Sequence, residues 1–120
     1  MNSVGVRLAI IGSRSFNNIE LIQEVLKEYI YTAKMVISGG AKGADKLAQE
    51  WAIQNDIPVK IFLPDWTKFG KAAGVIRNKQ IVLDADFCII FWDGKSKGTK
   101  NTIELCIKLN VKYKLIKFEN

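Results

Sequence analysis

Histidine is absent from the 120 residues, and cysteine and proline each occur only twice. The lack of histidine removes the commonest general base, the usual nucleophile–histidine pairs and most zinc sites. Any catalysis would therefore rest on carboxylates, arginine, lysine or backbone amides. Cys88 and Cys106 lie in apolar stretches without metal-ligand spacing, so we expect packed thiols. We expect neither a metal nor a cofactor.

Long hydrophobic runs are also missing. No apolar segment approaches the roughly 20 residues that a membrane span needs, and the N-terminus lacks the basic-then-apolar pattern of a signal peptide. Apolar residues make up 48% of the chain and charged residues 25%, which is typical of a folded domain. We expect a single cytoplasmic domain over residues 1–120 with no membrane partner.

The formal net charge of +6 suits an anionic partner. Several lysines lie in the last predicted strand and the helix before it: Lys108, Lys112, Lys114 and Lys117. Solvated lysines protect the exposed edge of a sheet from pairing with another chain. We favour that interpretation over a nucleic-acid-binding stripe, which is the alternative.

The hydrophobic pattern predicts alternating strands and helices. The predicted strands are Val6–Ile11, Lys34–Ile37, Val59–Leu63, Asp86–Trp92 and Lys112–Phe118. Segments of helical period lie between them, and Asn17 with Glu20 resembles a capping box before the first helix. The alternation predicts an α/β, three-layer Rossmann-like domain with a five-stranded, mainly parallel sheet. Such sheets bind ligands beyond the carboxyl ends of their strands, where the strand order reverses.

Unusual residues collect in the loops after the predicted strands. After the first strand, Gly12 permits a tight turn, Ser13 supplies a hydroxyl group, and Arg14 supplies a planar fork of donors. A structural loop with a surface arginine is the alternative. After the third strand, Asp65 can hold ribose hydroxyls, and Trp66 can either stack on a base or pack under the next helix.

Two glycine-rich turns lead from a strand directly into a helix. The first contains Ser38, Gly39, Gly40, Lys42, Gly43 and Asp45, and the second contains Asp93, Gly94, Lys97, Gly98 and Thr99. Glycine lets a ligand approach the backbone, and a helix start offers unpaired N–H groups to an anion. Asp45 can cap its helix or accept from a sugar hydroxyl, and we expect Thr99 to be an N-cap. Two such turns, which we place after neighbouring strands, predict a phosphate pocket.

The third predicted helix carries Arg77 and Asn78 among small and apolar residues, which allow another element to approach closely. Together these features resemble the SLOG superfamily of Smf/DprA DNA-processing proteins and lonely-guy phosphoribohydrolases, and are similar to its small, stand-alone YspA/YpsA-like branch. The residues that carry the resemblance are Gly12–Phe16, Ile37–Ala48, Trp51–Ala52, Asp65–Trp66, Gly70–Gly74, Arg77–Asn78 and Gly98–Thr99. The resemblance implies a Rossmann-like fold, a nucleotide-related ligand and a homodimer or higher homo-oligomer.

The lonely-guy enzymes cleave the N-glycosidic bond of nucleoside 5′-monophosphates with an arginine and a glutamate. By this resemblance the arginine falls on Arg77 and the glutamate on Thr102. Their glycine-rich loop falls on residues 92–99, where this chain is two residues longer and lacks the proline. Glu104 lies about 200° further around the helix from Thr102. Because glycosidic cleavage passes through a cationic state that needs a carboxylate, threonine at this position argues against cleavage.

The sequence therefore favours a sensor or sequestering protein that binds a nucleotide-derived, phosphate-bearing ligand of nucleotide or ADP-ribose type. A phage protein that captures a host defence signal is a specific form of this hypothesis. The alternative is a phosphoribohydrolase with Arg77 as a catalytic residue. A second alternative, DprA-like binding of single-stranded DNA, lacks the expected run of exposed aromatic residues, so we expect no nucleic-acid partner.

Overall fold

The computed structural model describes residues 5–119, in which strands and helices alternate. The strands are β1 (Val6–Gly12), β2 (Ala33–Ser38), β3 (Val59–Ile61), β4 (Phe87–Trp92) and β5 (Lys112–Lys117). The helices are α1 (Ile19–Leu26), α2 (Ala44–Gln54), α3 (Trp66–Phe69), α4 (Ala73–Asp84) and α5 (Lys97–Lys108). Short 3-10 turns follow α1 at Lys27–Tyr29 and precede α4 at Gly70–Ala72.

The five strands form one parallel sheet in the order β3-β2-β1-β4-β5, which confirms the predicted Rossmann-like architecture. From β1 the chain adds strands first on one side and then on the other, so the strand order reverses between β1 and β4. The two glycine-rich turns follow β2 and β4, and β1 lies between those strands. Their predicted placement after neighbouring strands is therefore wrong, because only the tertiary strand order decides adjacency.

The core has one layer on each face of the sheet. Leu8 and Ile10 of β1 pack with α1 and α2, whereas Ala9 and Ile11 point to the other face and pack with α4 and α5. Cys88 and Cys106 are both free and buried on this second face, which confirms the expectation of packed thiols. No helix in the described part of the chain has the length and apolar character that crossing a membrane requires.

An aromatic cluster anchors the loop between β1 and α1. The ring of Phe16 lies 4.6 Å from that of Phe91 and 4.8 Å from that of Phe118, measured between centroids. Next to it, the amide of Ser13 donates to the carbonyl of Phe91 at 2.9 Å. The loop that carries Arg14 is therefore held against the ends of β4 and β5 by both burial and hydrogen bonding.

Two helix starts differ from the sequence predictions. Asn18, not Asn17, is the N-cap of α1, and its side chain accepts from the Leu21 amide at 3.0 Å. At α5 the N-cap is Ser96, whose hydroxyl accepts from the Thr99 amide at 3.3 Å. The predicted Asn17–Glu20 capping box and Thr99 cap are therefore wrong. In each case the local sequence offers several cap-forming side chains, and the path of the preceding loop selects one.

Gly43 occupies a position that an L-residue side chain would not fit. Its φ is +75°, and a Cβ there would overlap the carbonyl oxygens of Ser13 and Arg14. We expect Gly43→Ala to lower the free energy of unfolding by at least about 2 kcal/mol. Gly98→Ala is the matched control, since a Cβ at this helical position meets no atom within 4 Å. Urea unfolding should show that Gly98→Ala is neutral or stabilising by about 0.5 kcal/mol; equal losses in both variants would contradict this account.

Candidate functional site

A cleft of about 440 Å³ opens at the carboxyl ends of β1 and β4, where the strand order reverses. This is the place at which open parallel sheets bind ligands. The lining residues are Ile11, Gly12, Arg14, Ser15, Ala41, Arg77, Asn78, Asp93, Ser96, Gly98, Thr99 and Thr102.

Two arginines meet in the cleft. Arg77 is half-buried on α4, and its guanidinium donates to the Gly39 carbonyl at 2.6 Å and to the Asn78 side-chain oxygen at 3.0 Å. Burial lowers the pKa of Arg77, Asp45 opposes that shift, and the charge of Arg14 adds to it. Within residues 5–119, neither arginine has a carboxylate oxygen within 4 Å. Two mutually repelling guanidinium groups, neither in a salt bridge, make this part of the cleft electropositive and suited to an anion.

The first turn of α5 forms the opposite wall of the cleft through Ser96, Gly98 and Thr99. Asn78 joins this wall to α4, because its amide donates to the Asn101 side-chain oxygen at 3.0 Å and to the Gly98 carbonyl at 3.4 Å. The positive end of the α5 dipole therefore faces the same space as the two arginines.

Asp93 organises the turn before α5. One of its carboxylate oxygens accepts from the amides of Lys95 and Ser96, both at 2.8 Å, and these N–H groups hold the pKa of Asp93 below its usual value. Its own amide donates to the Ser13 hydroxyl at 3.1 Å. Asp93 is the only carboxylate that lines the cleft among the described residues, and the hydrogen bonds of its side chain indicate a role in shaping the loop.

Most of the first glycine-rich turn lies behind the cleft. Ser38 is fully buried, and its hydroxyl accepts from the Gln49 side chain at 3.1 Å and from the Gly40 amide at 3.3 Å. Gly39 lies directly under the guanidinium of Arg77. From this turn only Ala41 reaches the lining. The turn therefore supports Arg77 more than it contacts the open space.

Asp45 lies beneath this turn and is 3% exposed. One oxygen accepts from the Ala41 amide at 3.2 Å, and the other, Oδ1, has no hydrogen-bond partner among the described residues. Burial raises the pKa of Asp45 from 3.8 to about 6, opposed by the Ala41 amide and by Arg77. Gly43 is the N-cap of α2, so the predicted capping role of Asp45 is wrong. Its carboxylate lies inside the first helical turn and packs inward.

The predicted site residues thus divide into groups. Those that the fold brings together in the cleft are Gly12, Arg14, Arg77, Asn78, Asp93, Gly98 and Thr99. Those outside the lining are Ser13, Ser38, Gly39, Gly40, Lys42, Gly43, Asp45, Gly94 and Lys97, together with Asp65 and Trp66. The lining residues outside the predicted binding set are Ile11, Ser15, Ala41, Ser96 and Thr102. The first four lie next to predicted site residues, which was the available signal, and Thr102 is the position that the lonely-guy resemblance assigns to a glutamate.

Thr102 faces the cleft, and its hydroxyl donates to the Gly98 carbonyl at 3.3 Å. Glu104 is exposed and lies outside the lining, as its position 200° further around the helix predicts. The wall on which the lonely-guy resemblance places a glutamate therefore carries a neutral hydroxyl group.

A second hollow of about 250 Å³ shares Arg77 with the cleft. Asp65 lies at its rim and caps α3, accepting from the Lys68 amide at 3.0 Å. Trp66 lies outside this hollow and is 56% exposed, with one edge of its ring over Gly74. Trp66 therefore contacts α4 only along one edge of its ring, because α3 is only one turn long and leaves more than half of the side chain exposed.

The raised pKa of Asp45 predicts a pH effect on stability. The folded protein holds this proton more tightly than the unfolded chain, so stability is greatest below pH 3.8 with respect to this group and falls as the pH rises through about 6. The loss is about 3 kcal/mol of unfolding free energy. We expect Asp45→Asn to remove this pH-dependent part of the unfolding free energy. The difference in unfolding free energy between variant and wild type, measured by urea titration, should therefore change with pH. A difference that stays constant from pH 4 to pH 8 would contradict the assignment.

Comparisons with known proteins identify the family and the fold. Residues 6–69 match the model of the YspA, cpYpsA-related SLOG family. The chain is 31% identical over 114 residues to "Gene 61 protein" of Mycobacterium phage D29, covering 88% of this chain and 91% of the phage protein. The fold is similar to the X-ray structure of DNA processing protein A (DprA) from Streptococcus pneumoniae, with a TM-score of 0.80 and 18% identity. That likeness covers 96% of this chain but only 51% of DprA, about half its length. Since the family model spans more than half of the sequence, this chain belongs to the YspA, cpYpsA-related SLOG family.

Proposed function

We propose that this protein binds a nucleotide-derived ligand through a phosphate group held in the cleft. The observation that carries the proposal is the meeting of Arg14 and Arg77, neither paired with a carboxylate, at the start of α5. Guanidinium groups match the geometry of phosphate oxygens, and a helix start adds backbone N–H donors. An anion at this position would also relieve the repulsion between the two arginines.

The second hollow supports a ligand larger than phosphate. Arg77 lines both spaces, and we propose that a ligand held by this residue extends from the cleft into the hollow. The hollow offers the carboxylate of Asp65, the amide of Gln80 and the apolar surfaces of Leu63 and Phe69. This combination of apolar surface and hydrogen-bonding groups is suited to a sugar and base. Trp66 stays a candidate for stacking on the base from the exposed surface nearby.

Capture fits the cleft better than cleavage does. Thr102 provides no charge for a cationic transition state, and the carboxylate of Asp93 is engaged by the Lys95 and Ser96 amides. We therefore propose a sensor or sequestering role. A relative is encoded by phage D29, and we propose more specifically that the protein captures a host defence signal of ADP-ribose type.

Calorimetry against ADP-ribose, its cyclic forms and nucleoside 5′-monophosphates tests binding. We expect Arg14→Ala to weaken the affinity for the best-bound compound at least about tenfold, because a charge-assisted bond to phosphate is worth about 1.5–3 kcal/mol. Since Arg14 is exposed, the melting temperature should not fall. Lys108→Ala removes the same charge at the far end of α5 and should leave affinity unchanged. Equal effects of the two variants would indicate non-specific attraction, and no binding of any member would contradict the proposal.

Chromatography of the same mixtures after prolonged incubation separates capture from cleavage. We expect the bound nucleotide to be recovered intact, because the cleft presents Thr102 where the resemblance calls for a carboxylate. Release of free base that is abolished by Arg77→Ala would instead establish a glycosidase.

A further inference from the structure

Asp45 and Arg77 lie against the same glycine. A Cβ at Gly39 would be 2.7 Å from Nη1 of Arg77 and 2.8 Å from Oδ2 of Asp45, so only the absence of a side chain allows both groups to pack here. Arg77 lines the cleft, whereas Asp45 lies behind it. The guanidinium is therefore positioned between a buried carboxyl group and the space where an anion would bind.

Among the residues that the structure describes, Arg77 is the one charge that balances Asp45. The Ala41 amide, which donates to Oδ2, and Arg77 on α4 both favour the ionised form of Asp45, and the nearby N–H groups of Gly12 and Gly39 favour it without a hydrogen bond of good geometry. Arg14 acts on Arg77 from the far side. The ionised carboxylate thus depends on the positive charge of Arg77, which a ligand in the cleft would also use.

The two oxygens of Asp45 are not equivalent. Oδ2 accepts from the Ala41 amide at 3.2 Å, whereas Oδ1 is buried without a hydrogen-bond partner in the described part of the chain. An unpartnered oxygen is costly when it carries charge and much less costly as part of a neutral carboxyl group. A proton can therefore be accommodated on Oδ1 while the hydrogen bond from Ala41 to Oδ2 is kept.

We propose that an anionic ligand in the cleft binds together with a proton, which the buried carboxylate of Asp45 takes up from solvent on Oδ1. This inference rests on the proposed function, and it identifies Asp45 as a residue that sets the charge balance of the site without touching the ligand. The ligand places negative charge beside Arg77 and weakens the attraction that kept Asp45 ionised. By reciprocity, a neutral Asp45 leaves the charge of Arg77 available to the ligand.

The coupling makes affinity depend on pH. Asp45 has a pKa of about 6 in the free protein, and a bound anion raises it further. Affinity therefore increases as the pH falls from about 8 towards 5.5. A rise of one pKa unit on binding would strengthen affinity by a factor approaching about 10.

Calorimetry with ADP-ribose in two buffers of different ionisation enthalpy measures directly the number of protons taken up per ligand bound. ADP-ribose is a suitable probe because its diester phosphates lack the second ionisation near pH 6 of a phosphate monoester. At pH 6.5 we expect uptake of about half a proton per ligand if the pKa rises by one unit. We expect Asp45→Asn to bind without proton uptake and with nearly constant affinity between pH 5.5 and pH 8.

Asp56→Asn is the matched control. Asp56 follows the other end of α2, is exposed, and has a φ of +56°, a conformation that asparagine tolerates well. This variant should keep the proton uptake of the wild type. If Asp45→Asn does not fold, a pH titration of the wild-type Asp45 carboxyl carbon by NMR, with and without ADP-ribose, replaces it. We expect the pKa of Asp45 to be higher in the presence of ADP-ribose.

The outcomes separate the two proposals. Binding of ADP-ribose without proton uptake by the wild type would overturn the role of Asp45 and leave the proposed function standing. Uptake that persists in Asp45→Asn would assign the proton to another group and also overturn it. No binding at any pH between 5.5 and 8 would count against both proposals.

Discussion

The pairing of β1 with β4 is the contact on which the rest of the site depends. The parallel ladder runs to Gly12 and Phe91, and the Ser13 amide and hydroxyl extend it by bonding the Phe91 carbonyl and the Asp93 amide. These bonds bring two loops that are 80 residues apart in the chain to the same edge of the sheet. Because the strand order reverses here, α1 and α5, which follow β1 and β4, pack on opposite faces of the sheet, and a cleft opens at this edge.

The charged groups at this cleft lie in two layers, with the arginines at the cleft and a carboxylate buried behind them. At the cleft, Arg14 and Arg77 form no salt bridge with any described carboxylate. Behind them, Asp45 is buried and only partly compensated. Pairing the two charges fully would have produced a neutral structural core, which could not attract an anion. The separation by Gly39 keeps the guanidinium accessible from the cleft while the carboxylate still acts on it electrostatically.

On the proposed function, the same geometry favours binding of a phosphate-bearing ligand without hydrolysis. Binding uses arginine forks and helix starts, whereas glycosidic cleavage adds a carboxylate at a defined point of the wall. Here Thr102 bonds the Gly98 carbonyl, and Asp93 bonds the amides of its own turn. These two side chains therefore hold the shape of the cleft, and the proposed function assigns ligand recognition to the arginines and the backbone.

Much of the fold and half of the site could be predicted from the sequence. The alternation of apolar strands with helical segments determined a parallel α/β sheet, and Arg14, Arg77, Asn78 and the turn before α5 were identified as ligand-facing. These features depend on local patterns, which the residues encode directly. The helix caps were missed by one to three residues because several neighbouring side chains can cap equally well.

The tertiary structure alone decided which loops meet. Strand order arises from long-range packing, so the position of β1 between β2 and β4 could not be read from spacing. The same packing buried Ser13, Ser38 and Asp45, which changed them from candidate ligand contacts into supports for the loops and for Arg77. The sequence by itself determined the chemistry available at the ends of the strands. The tertiary structure determined which of these side chains are buried and which line the cleft, because burial depends on every element that packs around a residue.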